Sequence, residues 1–421
     1  MDTTSISAAA LILLLALGTG SLLARLDDAA PRRHRFETLD GMRGLLALGV
    51  FLCHSFAWHG FAHGQGWHDP ANRLFLYLGQ PVVLLFFMLT AFLFVGRLLE
   101  AKGREIDWLQ LYVSRVLRLT PTYMLAMALL FTIVAIVTHL RIDGAGTGVV
   151  FRSWTDIFSA ALAWIGFSML GTPAIDAYMN TPLIMAGVTW SLPYEWTFYL
   201  LLPVLAIPLR IRLPLGAVLI GAAGLFWVLA WQPPAWRLAP FAGGMVAAVL
   251  VRLPRAARWA SSRLAAVLAM GAFFGVVALA PTIFAPLPMA AFSFVFFVIA
   301  GGNDLFGLLR LPGARMLGKV SYSVYLLHGM VLYTFFMLVV GTNRAQAWSP
   351  IEHWLAIACL TLVVLCLAWL SQRWIEQPAI DAVPRLAQWI RSLVTTSRRA
   401  GAELASGRPA AGGQRDDRAL D

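Results

Sequence analysis

The chain has 421 residues, of which 59% are hydrophobic and only 13% are charged. A soluble globular domain carries about 25% charged residues, so this chain has too little polar surface to face water on all sides. Its formal net charge is +11, but we find no nucleic-acid-binding motif, and basic residues gather in the cytoplasmic loops of membrane proteins. The composition therefore excludes a soluble protein and indicates a membrane protein.

The hydrophobic residues form eleven blocks, most of them near the roughly 20 residues that cross a bilayer as a helix. The first block, 8–24, follows a leader without Lys or Arg, whereas a cleaved signal peptide begins with a positive region. We therefore predict a first transmembrane helix with its N-terminus outside. The other blocks are 41–61, 76–96, 121–140, 190–209, 215–231, 238–251, 264–280, 288–302, 320–340 and 354–374. Together they predict an all-α fold, a polytopic membrane helical bundle of about eleven transmembrane helices.

The basic residues support this count and orientation. Eleven spans with the N-terminus outside place every basic cluster on the cytoplasmic side, as the positive-inside rule requires. These clusters are 25–35, 97–118, 210–212, 252–263, 310–319 and 391–399. The apolar segment 157–170 would invert this topology as a span, but it is short. We interpret it as a re-entrant or interfacial segment on the outer side.

We divide the chain into three parts. Residues 1–35 form the N-terminal helix and a basic cytoplasmic loop, 36–380 the membrane domain, and 381–421 a cytoplasmic tail. The tail is rich in Gly, Ala, Arg and Asp from about residue 401, and such a composition predicts disorder there.

Arg43 and His54 lie eleven residues apart in the second apolar block. Eleven helical steps make three turns plus about 20°, so both side chains share one face, roughly 16 Å apart along the axis. Ionisable residues inside apolar helices cost free energy and indicate function. A cation at the cytoplasmic mouth and a titratable base near mid-membrane would suit a long substrate with a charged head and a reactive end.

Arg115 and Arg118 are three residues apart, at the end of a basic loop, just before Pro121, which we expect to open the next span. Residues at this spacing are neighbours on a helix surface. Arginine matches phosphate oxygens bidentately, which predicts a phosphate site. Ordinary positive-inside topology explains the pair equally well.

The segment 190–199 places Ser191, Glu195 and Tyr199 at four-residue spacing, and hence on one helix face. A carboxylate inside a membrane helix needs a partner. The alternative to a functional role is a structural pair between Glu195 and an arginine or histidine of another helix.

Two more segments carry polar residues in apolar surroundings. Ser321, Tyr325 and His328 share one face of the segment 317–328, where a packed polar seam between helices is an equal alternative. Glu376 ends the last span in the sequence RWIEQP and could instead pair with a basic loop.

His59 and His63 are four residues apart and, with His68, could suggest a metal site. Three glycines in this segment argue against the rigid helix that such spacing needs, so we favour a plain outer loop and predict no metal. The three cysteines lie inside apolar blocks, without metal-ligand spacing or a disulfide framework.

Five segments, in this order, resemble acyltransferase family 3, the integral membrane O-acyltransferases that modify cell-surface sugars. They are LDGMRGLLALGVFLCHS, the loop that ends in RVLRLTP, WSLPYEWTFY, LGKVSYSVYLLH and RWIEQP, spread over residues 39–378. The resemblance implies a ten-helix core that begins in the cytoplasm, which matches eleven spans less the first. The chain departs from the family at Thr90, Ala91 and Phe92, where a Ser-Gly-Phe stretch is usual.

The resemblance implies an acyl-coenzyme A donor on the cytoplasmic side, with acetyl as the expected acyl group, and a carbohydrate or glycolipid acceptor, for a protein embedded in the lipid bilayer. His54 is then the general base or a transient acyl carrier, and Glu195 orients His54 or holds the acceptor. Arg43, Arg115, Arg118 and Lys319 would bind the donor phosphates. The residues expected to bind substrate are Trp190, Ser191, Tyr199, Tyr325 and His328.

A secondary transporter or a flippase for a lipid-linked or small polar substrate is the alternative function, because such proteins also bury lone charges at mid-membrane. Transporters often show paired halves with matching broken helices, and we find no such repeat in the sequence.

Overall fold

The structure is a computed structural model that describes residues 5–27, 36–68, 70, 72–139, 153–176 and 178–406, with side chains up to residue 396. Most of the predicted basic loop up to residue 35 and the tail from residue 407 lie outside the described residues. The described part is almost wholly helical, and its isolated β-bridge joins Ile175 and Tyr178.

The helices follow the predicted blocks closely. In chain order they are α1 Ile6–Leu26, α2 Glu37–Ala62, α3 Arg73–Tyr77, α4 Gln80–Ala101, α5 Trp108–His139, α6 Trp154–Ile165, α7 Thr181–Ile184, α8 Leu192–Ala206, α9 Leu215–Trp231, α10 Ala235–Leu250, α11 Pro254–Ala260, α12 Arg263–Leu279, α13 Pro286–Ala300, α14 Pro312–Lys319, α15 Ser321–Tyr333, α16 Thr342–Gln346, α17 Pro350–Ser371, α18 Gln377–Asp381 and α19 Val383–Ser406. A π-helical segment, Thr334–Val340, extends α15, and another, Gln372–Glu376, joins α17 to α18.

Six helical stretches of the described chain are long and apolar enough to cross a membrane. The bent pair α10 and α11, with 112° between its axes, could make a seventh, and α9, α12 and α13 are shorter apolar helices. An all-α, multi-pass membrane bundle is therefore confirmed. Each of the eleven predicted blocks overlaps a described helix, but the number of spans stays a prediction.

The start of the fourth predicted span is wrong. Helix α5 begins at Trp108 and runs through Pro121, so Arg115 and Arg118 lie inside the helix and not in a loop before it. Proline normally breaks a helix because it lacks the N–H group that bonds the carbonyl four residues earlier. Membrane helices tolerate proline because neighbouring groups can satisfy the freed backbone.

Helix α6 covers most of the apolar segment 157–170, which we predict to be re-entrant or interfacial. Its 12 residues span about 18 Å, less than the roughly 30 Å of a hydrocarbon core. Trp154 and Phe158 are exposed on it, whereas Trp164 is buried. Its placement as an interfacial or re-entrant segment stays a prediction.

Helix α2 packs directly on the junction of α14 and α15. A methyl group on Gly44 would lie 2.6 Å from the Gly318 nitrogen, and one on Gly318 would overlap the carbonyl oxygen of Asp40. Small residues permit such close backbone approach between membrane helices. The contact places Arg43, between these α2 positions, beside the start of α15.

The N-terminal helix is docked on the bundle. It packs on α14 and α17, and a methyl group on Gly20 would lie 2.8 Å from the Gly313 carbonyl oxygen. Beyond its C-terminal end, Asp27 forms an ion pair with Lys319. Helix α1 is therefore held at the same α14–α15 junction as α2.

Candidate active site

A cavity lies where α2, α4, α5, α8 and α15 converge. Arg43, Arg115 and Arg118 line it from α2 and α5, and Glu195 lines it from α8. One face of α4 forms a wall, with residues recurring every three or four positions. These α4 residues are Val83, Phe86, Phe87, Leu89, Thr90, Leu93 and Phe94.

Contacts along α4 show how the cavity is laid out. The Arg115 guanidinium lies 5.0 Å from the ring centroid of Phe94, and Thr90 donates a hydrogen bond of 3.5 Å to Glu195. Nearer the start of α4, the ring of Phe86 lies 6.5 Å from that of Tyr325. Because a helix rises 1.5 Å per residue, the three contacts are about 6 Å apart in turn. Arginines therefore line one end of the cavity, and Tyr325 closes the other.

The cationic end contains carboxylates as well as arginines. Arg43 lies 3.7 Å from Asp40 on its own helix and also interacts electrostatically with Arg118 and Glu376. Glu376 is only 2% exposed. The guanidinium groups of Arg43, Arg115 and Arg118 thus lie near Asp40 and the buried Glu376, and a ligand anion would compete with these carboxylates for the arginines.

Glu195 is held within the cavity by its own helix and by α4. Tyr199, one turn further along α8, donates a hydrogen bond to the Glu195 carboxylate, and Thr90 donates a second one. Glu195 therefore lies between the arginines and Tyr325. Its hydrogen-bond partners Tyr199 and Thr90 line the same cavity.

Tyr325 is bonded to the segment before α8. Its hydroxyl donates to the Val188 carbonyl oxygen, 2.8 Å away, and lies 2.9 Å from the Ser191 hydroxyl. Its ring centroid is 6.3 Å from that of His328, one turn further along α15. Tyr325 lines the cavity, whereas His328 and His54 do not; the tyrosine therefore separates the cavity from the histidines.

His54 and His328 form a hydrogen-bonded pair. The His54 Nδ1 lies 2.8 Å from the His328 Nε2, and the His328 Nδ1 lies 2.9 Å from the Val324 carbonyl oxygen. A carbonyl only accepts, so in the neutral ring the His328 Nδ1 carries the proton and its Nε2 accepts. His54 must then donate from Nδ1, which leaves a lone pair on its Nε2. A base at mid-helix is thus fixed in the tautomer that can take a proton.

The predicted link between Glu195 and His54 is not present. The structure gives His54 a histidine from α15 as its partner and gives Glu195 a tyrosine and a threonine. The physical reason is that the two residues lie beside different parts of α4. Cys53, the neighbour of His54, approaches Gly79 at the start of α4, whereas Glu195 bonds Thr90. Gly79 and Thr90 are about 16 Å apart by the helix rise. Glu195 can therefore face a substrate in the cavity, but it does not orient the His54 ring.

Two other predicted site residues lie outside the cavity. Lys319, expected with the phosphate-binding arginines, forms its ion pair with Asp27. Trp190 packs against Phe87, with 6.0 Å between the ring centroids, and lies under the guanidinium of Arg237 at 5.4 Å. An ion pair accounts for the position of Lys319, and aromatic packing on α4 accounts for that of Trp190.

The predicted outer loop is wrong for His59. Helix α2 continues to Ala62 and so includes His59, whose ring stacks on that of His63 at 4.2 Å. Glycine lowers helix propensity, but tertiary packing overrides it. Within the described residues, no group of three or more His, Cys, Asp or Glu side chains is arranged to hold a metal ion.

Sequence reasoning missed two features of the site. His328 was expected to contact substrate, and nothing in the sequence pairs it with His54, which is 274 residues away. Ser321 was predicted to share a helix face with Tyr325 but was given no role, and its buried hydroxyl lines the cavity.

A multi-pass helical membrane protein with a cationic cavity next to a half-buried, tautomer-fixed imidazole has the features of a membrane-embedded transferase. Residues 36–371 match the family model described as an acyltransferase domain. The chain therefore belongs to acyltransferase family 3, and the protein is an acyltransferase.

Two relatives agree with this assignment. The chain is 26% identical over 409 residues to acyltransferase MdmB of Streptomyces mycarofaciens, covering 85% of this chain and 99% of the relative. It is 24% identical over 382 residues to nodulation protein 10 of Rhizobium leguminosarum bv. viciae, covering 84% of this chain and 95% of that protein. No solved structure matches the chain.

Proposed function

We propose that the enzyme transfers an acetyl group from acetyl-coenzyme A to a hydroxyl of a carbohydrate or glycoconjugate acceptor. The observation that supports this most is the layout of one cavity, with Arg43, Arg115 and Arg118 at one end and Tyr325, next to the histidine pair, at the other. This layout fits a long donor with a phosphorylated head and a thioester end.

In this proposal the three arginines bind the donor head. Guanidinium groups bind phosphate oxygens through two parallel hydrogen bonds, and a site lined by low-dielectric walls strengthens such contacts. The aromatic face of α4, including Phe86 and Phe94, would then pack along the thin arm of the donor. The thioester reaches the histidines only when the Tyr325 ring moves aside from Val188 and Ser191.

His54 supplies the base. Its Nε2 takes the proton of the acceptor hydroxyl while the hydroxyl oxygen attacks the thioester carbonyl carbon. The carbon–sulfur bond then breaks, and the departing thiolate receives the proton that His54 holds. His328 accepts the Nδ1–H of His54 throughout. Attack of Nε2 on the thioester, to give a transient acyl-imidazole, would use the same lone pair.

Topology belongs to the proposal. We infer eleven spans in the cell (inner) membrane, with the N-terminus outside and the C-terminus in the cytoplasm. The support is positional: Arg115 lies beside Phe94, close to the end of α4 that carries Arg97 and Lys102. Basic residues at a helix end indicate the cytoplasmic side, so the donor would enter there.

The test uses purified protein, radiolabelled acetyl-coenzyme A and membrane glycolipid as acceptor. We expect label to reach the acceptor in the wild type, and His54→Ala to lose at least about a hundredfold in rate. His139→Ala, at the exposed end of α5, is the matched control and should keep wild-type activity. A transporter would not consume the donor, and full activity in His54→Ala would end the proposal.

A further inference from the structure

Helix α15 begins at an uncapped N-terminus inside the membrane domain. Helix α14 ends at Lys319, Val320 still donates its N–H to the Met316 carbonyl oxygen, and α15 starts anew at Ser321. Val320 provides no side-chain cap. The first turn of a helix presents N–H groups without intrahelical partners and the positive end of the helix dipole. An uncapped first turn of this kind is favourable for an anion.

The Ser321 hydroxyl is a second and independent indication. Ser321 is 1% exposed, lines the cavity and has no hydrogen-bond partner for its Oγ within the described residues. Buried hydroxyls in this bundle usually bond a carbonyl one turn back, as Thr197 does with Pro193 at 2.6 Å. A buried polar atom without a partner is costly, so the Ser321 hydroxyl is best explained by a group that binds in the cavity.

Cations surround this point. The close packing of Gly44 on Gly318 brings Arg43 next to the start of α15. Tyr322, in the first turn, donates a hydrogen bond of 2.9 Å to the carbonyl oxygen of Leu119, the residue after Arg118. Both arginines also line the cavity with Ser321. Asp40, Glu376 and Glu195 are the carboxylates that interact with them, and an incoming anion would compete with these three groups.

We propose that the first turn of α15, with the Ser321 hydroxyl and the Arg43 and Arg118 guanidinium groups, is a binding subsite for a phosphoryl group of the donor. This inference rests on the proposed acyl-coenzyme A donor and identifies what holds its head. The Ser321 hydroxyl and the first-turn N–H groups donate to the phosphoryl oxygens.

The subsite that binds the phosphoryl group of the donor lies apart from the histidines that carry out the acyl transfer. Ser321 precedes His328 by seven residues, or about 10 Å along α15. A phosphoryl group at Ser321 therefore cannot touch the histidine pair, and the arm of the donor would cover the distance between them. Tyr325 lies between the two points on the same helix.

Two probes separate this subsite from the rest of the donor site. Coenzyme A carries the phosphoryl groups, whereas S-acetylpantetheine carries the thioester arm without them. Binding of both to the purified full-length protein is measured by calorimetry. We expect Ser321→Ala to weaken coenzyme A binding by about tenfold or more and to leave S-acetylpantetheine binding unchanged. Ser321→Asp, which adds a negative charge, should abolish coenzyme A binding alone, and Ser321→Thr should retain most of it.

Thr361→Ala is the matched control, because Thr361 is as buried as Ser321 but its hydroxyl bonds the Ile357 carbonyl oxygen of its own helix, α17, at 2.7 Å and lies outside the cavity. It should bind both probes like the wild type. Equal loss of both probes in Ser321→Ala, or no loss of either, would overturn the subsite. A wild type that binds coenzyme A without any effect of Ser321 overturns this inference alone. A wild type that neither binds coenzyme A nor consumes acetyl-coenzyme A overturns the donor and the subsite together.

Discussion

The imidazole rings of His54 and His328 are joined by a hydrogen bond of 2.8 Å between helices α2 and α15. The second ring is fixed in turn by the Val324 carbonyl oxygen. This short chain sets which nitrogen of His54 has a free lone pair, because the Nδ1–H of each ring already donates a hydrogen bond. His328 is therefore a positioning residue for the base, although it belongs to another helix.

Replacing His328 tests this relationship. In His328→Ala, His54 loses the acceptor for its Nδ1–H and can adopt the wrong tautomer. We expect kcat to fall by about 10- to 100-fold, with little change in the KM for the donor. His328→Gln places a carbonyl oxygen near the same point and should recover part of the rate. Unchanged kcat in His328→Ala would show that the pair does not act in the reaction.

Replacing Arg118 tests the cationic end of the cavity. Arg118→Gln should raise the donor KM by about tenfold or more, because a charge-assisted bidentate contact is lost, and should change kcat much less. Arg118→Lys keeps the positive charge but loses the bidentate guanidinium, so its donor KM should lie between those of the wild type and Arg118→Gln. Arg212→Gln is the control, since Arg212 is exposed and pairs with Glu105 at 3.8 Å. A fall in kcat at constant KM would contradict a role in donor binding.

Tyr325→Phe tests how firmly the closing tyrosine is held. The substitution removes the hydrogen bonds to Val188 and Ser191 and leaves a buried carbonyl with one partner fewer. We expect a loss of about 1 kcal/mol in the free energy of unfolding, measured by thermal unfolding in detergent. Phe also frees the ring, so the donor KM should not rise. A stabilised variant would show that these bonds contribute nothing.

Gly44→Val tests the close contact between α2 and the α14–α15 junction. The new side chain would overlap Gly318 and Ala314, and the strain should cost about 1–3 kcal/mol of stability. Because Arg43 adjoins Gly44, the donor KM should rise as well. Gly18→Ala on α1 meets nothing within 4 Å and should be neutral or slightly stabilising. Equal melting temperatures for the two variants would argue against this packing.

The sequence predicted the helices well because a bilayer demands long apolar blocks, and each block overlaps a described helix. Local signals failed where tertiary packing decides the outcome. Pro121 suggested a helix start, yet α5 passes through it, and the glycines around His59 suggested a loop, yet α2 includes that residue. Propensity is a weak guide in both cases, because packing can outweigh it.

The site was predictable in part. Helical periodicity predicted one shared helix face for Arg43 and His54, of which only Arg43 lines the cavity, and it grouped Ser191, Glu195 and Tyr199, all three of which line it. Periodicity relates residues only within a helix. It could not predict that His54 would meet His328 and that Glu195 would meet Thr90, because those contacts depend on how separate helices pack.

The docking of α1 imposes an order on biosynthesis. Its ion-pair partner, Lys319, follows Asp27 by 292 residues, and α17, on which α1 also packs, follows later still, so α1 must wait in the bilayer until most of the bundle has been translated. Contacts between such distant segments form late. The α14–α15 junction, which both α1 and α2 contact, is thus completed late, and nascent chains that stop before it would lack a finished donor site.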